Sequence, residues 1–510
     1  MLSEVLILLA FLATIANAYP DNDRIQSLPG WMGPLPSQQF SGYLKLSSSG
    51  SNLHYWFVES ENQSDNTVVW FNGGPGCSSM DGFLMENGPF EIQSDNTLTL
   101  RPYSWSKLAN VLFIESPVGV GFSYSDSGNY ACSDDRTASE NLEAVEKFFE
   151  LFPEHNGAHK KLFITGESYA GIYVPTLAES ILKATADGTY RGAPLAGIAV
   201  GNGCSGTEIG ICGNGPQGTF YEWSYLIQTP FVSNSLKKKV NLACDWSAAE
   251  KNIPGALSSQ CVNLLNEAST QIQNVDLYNV YGDCVNAASC SASTSDKVGN
   301  SLNYASAARG GEKTGRGKVP DRPVYTAKDK HTGAEHRMLS ARIIPNGPDA
   351  CIDSKLASAF LNQPDVQAAI HVDIAKSGQT CWSICGTAPG WSYNSTRTNL
   401  PVNTYPYLVS KIRVLIYNGD WDACVPYTDG EGWTSNMNFP IKNDWHSWQY
   451  TSANGNTNQV AGYATEYDVS ALGSGSFEFI TVKGGRHEVP ETAPAQAFEM
   501  LQRLIAGKPF

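Results

Sequence analysis

Residues 161–181, KLFITGESYAGIYVPTLAESI, change hydrophobic period within a single turn. Leu162, Phe163 and Ile164 form a short apolar run of the kind that makes a buried strand. Behind the turn, Ala170, Val174, Leu177 and Ile181 recur at helical spacing. Gly166 and Ala170 flank Ser168, two residues to either side. A strand that runs straight into a helix has no room for large side chains there, and the serine stands clear of the backbone. A hydroxyl is a weak nucleophile unless a neighbouring base takes its proton. The spacing G-x-S-x-A, relaxed from G-x-S-x-G, therefore reads as a nucleophile elbow. Pro175 is expected in the first turns of the helix, where a missing N–H is tolerated.

Similar apolar runs recur along the chain: TVVWF (67–71), NVLFIE (110–115), AGIAVG (196–201), RVLIY (413–417) and FEFITV (477–482). Helical patterns lie between them, such as ASENLEAVEKFFELF (138–152). Continuous apolar strands alternating with helices predict an α/β fold with a mainly parallel central sheet flanked by helices. From about 204 to 345 the strand signal fades, and six of the twelve cysteines fall between Cys204 and Cys290. This stretch is expected to be a mostly helical cap inserted between core segments 19–203 and 346–510. Within it, 308–342 is Gly-rich and carries nine of the chain's 34 Lys and Arg residues. That composition predicts a flexible, solvated loop, and an excised segment is the competing reading.

An elbow serine needs an acid and a histidine after later strands, in that order. RVLIYNGDWDACVP supplies Asp420 and Asp422, and FITVKGGRHEVP supplies His487. Taken singly, these are ordinary turn and loop residues. Three such residues at successive strand ends, in the required order, make a triad the better reading.

The start of the chain has an apolar stretch from Val5 to Ile15 and then Ala16-Asn17-Ala18. It reads as a secretory signal over residues 1–18, although Glu4 replaces the usual basic residue. Twelve cysteines then predict disulfides. Asn62-Gln63-Ser64 and Asn394-Ser395-Thr396 are glycosylation sequons. A net charge of -15 argues against nucleic acid or an anionic membrane as partner. The cysteine and histidine spacings fit no metal site, and no cofactor is expected.

Several stretches together resemble the serine carboxypeptidase family: SGYL, LHYWFVES, WFNGGPGCSSMDG, ENGPF, ANVLFIESPVGVGFSYS, KLFITGESYAGIYVPTLA, VGNG, LIYNGDWD and HEVP. They run from about residue 25 to the C-terminus, with the cap matching least. The resemblance implies an α/β-hydrolase fold and release of C-terminal residues from peptide or protein substrates with a free C-terminus. It assigns Ser168 as nucleophile, His487 as general base and acid, and Asp422, rather than Asp420, as the acid that orients the imidazole. It implies oxyanion donors at the backbone N–H groups of Gly74 and Tyr169. It also implies a site for the substrate's carboxylate at Asn72, Gly73, Glu86 and Glu167. Carboxyl side chains facing a carboxylate must share protons, so binding is expected to favour acidic conditions.

Asp81 and Glu488 match positions bordering the pocket for the leaving residue, and two acids there are expected to admit a basic C-terminal residue. Cys424 and Val425 lie by the other subsite. Arg486 departs from the usual GxGHxVP pattern, with no effect assigned. The resemblance also implies a disulfide between Cys77 and Cys351. Proximity suggests Cys204–Cys212, Cys244–Cys261, Cys284–Cys290 and Cys381–Cys385, with Cys424 keeping its thiol. Three readings stay open beside the exopeptidase: an acyltransferase, an esterase, and a non-catalytic partner like the family member that stabilises other lysosomal enzymes. The signal implies the secretory pathway, and the likeness leaves a lysosomal or secreted location and a possible homodimer open.

Overall fold

The computed structural model describes residues 20–273, 275–283 and 354–510, together with the backbone of strands Tyr325–Lys328 and Glu335–Met338. The expected signal segment, Cys284, Cys290 and Cys351 lie outside the described residues.

Ten strands form the main path of one large sheet: β1 (Gln39–Lys45), β2 (Ser51–Val58), β3 (Asn66–Phe71), β4 (Asn110–Ile114), β5 (Lys161–Glu167), β6 (Leu195–Gly201), β7 (Arg413–Gly419), β8 (Ile441–Tyr450), β9 (Gln459–Tyr467) and β10 (Ser476–Val482). Their spatial order is β1-β2-β4-β3-β5-β6-β7-β10-β9-β8. The six apolar runs read from the sequence are the six contiguous parallel strands from β4 to β10. Their side chains are buried on both faces, which is why they lack alternation. The sequence reading missed the antiparallel pairs at either end, β1 with β2 and β8 with β9. Edge strand β8 is mostly exposed and carries no apolar pattern.

Helices α1 (Asp134–Leu151) and α2 (Ala170–Ala186) pack on each other and cover one face. Ser133 caps α1 by accepting from the Arg136 N–H, with Asp134 and Asp135 in the first turn. Pro175 falls in the second turn of α2, as its sixth residue. The Gly171 carbonyl there has no i+4 N–H to accept.

Between β6 and β7, helices Pro216–Leu226, Asn234–Ala243, Trp246–Glu250 and Ser259–Gln271 build a separate apolar cluster around Trp223, Leu236, Val240 and Leu265. Cys204–Cys212 and Cys244–Cys261 are bonded as proximity suggested. Within 308–342, Tyr325–Lys328 and Glu335–Met338 pair as an antiparallel ladder, and the rest of that segment lies outside the described residues. Among the described residues, no helix is long and apolar enough to cross a membrane.

Two disulfide expectations need correction. Cys77 bonds to Cys385, not Cys351, and Cys385 is thereby denied to Cys381, which is itself disulfide-bonded. The backbone explains the choice. The Ser78 N–H donates to the Ile384 carbonyl at 2.7 Å, so residues 77 and 385 already lie side by side.

Candidate active site

The site is built where strands end. Ser168 follows β5 with φ of +60°, a left-handed conformation costly for a side chain with a Cβ. Its N–H donates to the Gly201 carbonyl and its carbonyl accepts from the Cys204 N–H, each at 3.0 Å, which holds the turn against the end of β6. A Cβ on Gly166 would come within 2.5 Å of the Phe71 carbonyl and 2.8 Å of the Ala170 methyl. The small flanking residues are thus a steric requirement. Ser168 itself is half-buried.

Asp422 lies beyond β7 and His487 beyond β10. His487 Nδ1 and Asp422 Oδ2 are 2.7 Å apart, and both residues are buried. Asp422 accepts three further hydrogen bonds: from Asn202 Nδ2 at 2.8 Å, Cys424 N at 2.7 Å and Val425 N at 3.2 Å. Its lone pairs are therefore directed by the protein rather than by water. Burial works against a charged His487, but Asp422 and Glu488 outweigh it and raise its pKa above the ordinary value. His487 Nε2 is buried with no hydrogen-bond partner among the described residues. Asp420 plays a different part, accepting from the Gly484 N–H at 2.7 Å and so bracing the loop that carries His487.

Two residues here were not singled out from the sequence. Asn202, after β6, donates to Asp422 and to the Val425 carbonyl, while its Oδ1 accepts from the Gly419 N–H. Its signal was its place at the end of the strand between those of Ser168 and Asp422. Tyr278 comes from the cap: its carbonyl accepts the His487 N–H at 2.9 Å, and its ring meets the imidazole edge-on at 4.7 Å. Nothing local to its sequence marked it.

The loop after β3 approaches the elbow from the other side. A Cβ on Gly73 would lie 2.3 Å from the Tyr169 nitrogen and 2.7 Å from Ser168 Cβ, so only glycine permits this approach. Gly74, exposed and at φ of +108°, follows. The loop is braced from below by the buried Glu115, which receives Ser78 Oγ, Trp382 Nε1 at 2.9 Å, the Phe122 N–H at 2.8 Å and His54 Nδ1 at 2.9 Å.

Asn72, Glu86 and Glu167 meet in one buried cluster. Asn72 Nδ2 donates to Glu86 Oε1 and to Glu167 Oε1, each at 3.1 Å. Asn72 Oδ1 is fixed by Trp70 Nε1 at 2.7 Å and the Gly82 N–H at 3.1 Å, which sets which end of the amide faces the acids. Glu86 Oε2 and Glu167 Oε2 are buried without hydrogen-bond partners among the described residues. Burial, then the neighbouring Glu488, pushes Glu86 up to about 8. Burial and Glu86 likewise hold Glu167 well above its ordinary value. Asp81, beside this cluster, is raised by burial and then by Glu488. Asp81 and Glu488 were read as two acids able to admit a basic residue, and Arg486 Nη2 lies 2.8 Å from Glu488 Oε2.

The sequons sit at the surface. The Asn62 amide donates to the Lys107 carbonyl at 2.7 Å, and Asn394 is the exposed last residue of strand Ser392–Asn394. Cys424 is partly exposed beside Asp422, and Val425 is buried.

A serine on a strand-to-helix elbow, with a histidine–aspartate pair carried at later strand ends, places the chain among serine hydrolases of the α/β-hydrolase fold. Comparison with known proteins narrows the class. The serine carboxypeptidase family model matches residues 29–507. "Serine carboxypeptidase-like 21" of Arabidopsis thaliana is 33% identical, covering 98% of this chain and 97% of its own. "Lysosomal protective protein" of Mus musculus is 33% identical over 99% and 98%. Among solved structures, the prohormone-processing carboxypeptidase KEX1(delta)p of Saccharomyces cerevisiae superposes with a TM-score of 0.64 at 20% identity, covering 96% of each chain. The chain belongs to the serine carboxypeptidase family.

Proposed function

We propose that the chain is a serine carboxypeptidase that removes C-terminal residues from peptides, binding them best at acidic pH. Ser168 Oγ attacks the last peptide carbonyl while His487 Nε2 takes its proton. The N–H groups of Gly74 and Tyr169 receive the developing oxyanion. His487 then protonates the departing amino acid, and water resolves the acyl-enzyme by the reverse proton route. Asp422 keeps the imidazole oriented and stabilises its charged form.

The observation that carries the exopeptidase reading is the pair Glu86 and Glu167, bridged by one Asn72 amide within one residue of Ser168. Buried carboxyls of raised pKa hold protons at mildly acidic pH and can donate to a substrate carboxylate, with the Asn72 amide and Gly73 N–H beside them. An acyltransferase or esterase has no such need for the terminal carboxylate.

The sign of the pH effect follows. A raised pKa means the pair is protonated in acid and loses protons as pH rises toward 8, so repulsion of the substrate carboxylate grows with pH. With Glu86 titrating at about 8, KM for a blocked dipeptide is expected to rise by about 2-fold from pH 5 to 8 and by about 10-fold by pH 9. Glu167→Gln, which cannot ionise, is expected to flatten that rise. A KM independent of pH in the wild type refutes the acid-pair account.

A further inference from the structure

Arg486, next to His487, takes no part in the reaction just described. Its guanidinium is buried, with Nη2 2.8 Å from Glu488 Oε2 and in contact with the Glu491 carboxylate. The one-turn helix Val489–Thr492 packs on Gly82–Glu86, so Asp81, Glu86, Glu488 and Glu491 gather at one interface. That interface is continuous with Asn72 through the Gly82 N–H. Asp81 and Glu488 are each 2% exposed, and Asp81 Oδ1 has no hydrogen-bond partner among the described residues. Burial opposes the charge on Arg486, yet Glu488, Glu491 and Asp81 more than restore it.

The terminal carboxylate and the side chain of a bound residue share one Cα. If Asn72, Glu86 and Glu167 hold that carboxylate, the side chain lies beside Asp81 and Glu488. Acids alone would invite a basic residue there. Here the chain supplies its own cation. We propose that Arg486 is a specificity-determining residue: it takes up the charge of Glu488, so that C-terminal residues with neutral side chains leave in preference to Arg or Lys. A substrate guanidinium would meet a like charge, or would have to displace Arg486 and leave it buried and unpaired, which is costly. At acidic pH, where burial raises Glu491 to about 7 and keeps it protonated, a neutral side chain meets the Arg486–Glu488 pair, which has no net charge. This inference rests on the carboxypeptidase reading and deepens it.

The test uses the full chain at one fixed pH and blocked dipeptides ending in Leu or Arg. The wild type is expected to release Leu about 10-fold or more better by kcat/KM. Arg486→Met is expected to raise the Arg-to-Leu ratio by about 10-fold or more, and Arg486→Lys to keep it near the wild-type value. A wild type that favours Arg, or an Arg486→Met ratio that does not move, overturns the inference. Should Arg486→Met not fold, judged by loss of fluorophosphonate labelling, Glu488→Gln decides instead. At pH 5, where Glu491 holds its proton, it leaves the Arg486 charge unbalanced and should raise release of C-terminal Glu relative to Leu by several-fold, and an unchanged ratio refutes the proposal. A wild type that labels with fluorophosphonate but releases neither Leu nor Arg overturns the carboxypeptidase reading, and this inference with it. The two failures are thereby distinguishable.

Discussion

At the scale of single residues, the proposed chemistry depends on how firmly Asp422 is held. Its bond to His487 is short, but the imidazole is only as well oriented as the carboxylate that receives it. Asn202 carries that burden through one side-chain bond to Asp422 and two that tie the end of β6 to the last residue of β7 and to the loop after it. Asn202→Ala removes a buried bond to a charged group, a loss of about 1.5–3 kcal/mol. Expressed in the transition state, that predicts kcat lower by about 10- to 100-fold with KM nearly unchanged. Steady-state kinetics on a blocked dipeptide checks it, and full kcat in Asn202→Ala contradicts the positioning role. Ser168, Asp422 and His487 could be singled out in the sequence because each stands at the end of a recognisable strand. Asn202 stands there too, but an asparagine after a strand is also an ordinary turn residue, and its partner is 220 residues away.

At the scale of elements, the loop after β3 and the elbow after β5 interlock because neither leaves room for a Cβ between them. Gly73→Ala forces an atom to within 2.3 Å of the Tyr169 nitrogen, which is backbone and cannot swing aside. The loop or the elbow must shift, and displacement of about 1 Å at reacting groups costs about 10²-fold in rate. Gly73→Ala is therefore expected to lose at least that much in kcat. Gly128→Ala, where a Cβ meets nothing within 4 Å, is expected to keep full kcat despite its positive φ of +69°. Equal activity in the two variants argues against the interlock. Glycine in NGGPG was readable as a close approach. What it approached was not, because β3 and β5 are neighbours only through sheet order. The same limit applies to Arg486: its departure from the expected motif and its nearness to Glu488 were visible, whereas the gathering of Asp81 and Glu86 at the same place required the two short helices to be brought together.

At the scale of the whole molecule, the centre of the sheet was legible and its margins were not. Strands buried on both faces write themselves as apolar runs, whereas β8 answers to solvent and to one neighbour. The Cys77–Cys385 bond spans 308 residues, and the likeness to the family pointed to Cys351 instead, since nothing in the order of the four cysteines after residue 345 distinguishes them. What the assembled architecture achieves is to bring the Ser168 elbow, the His487–Asp422 pair and the proton-holding acids to one end of a parallel sheet. Its central claim is that this end recognises a free chain terminus. The most direct measurement is mass spectrometry of one short peptide, incubated at pH 5 as the free acid and as the C-terminal amide. The account predicts stepwise loss of single residues from the free acid, little or none from the amide, and neither in Ser168→Ala. Equal trimming of both peptides by the wild type, or trimming that survives Ser168→Ala, contradicts it.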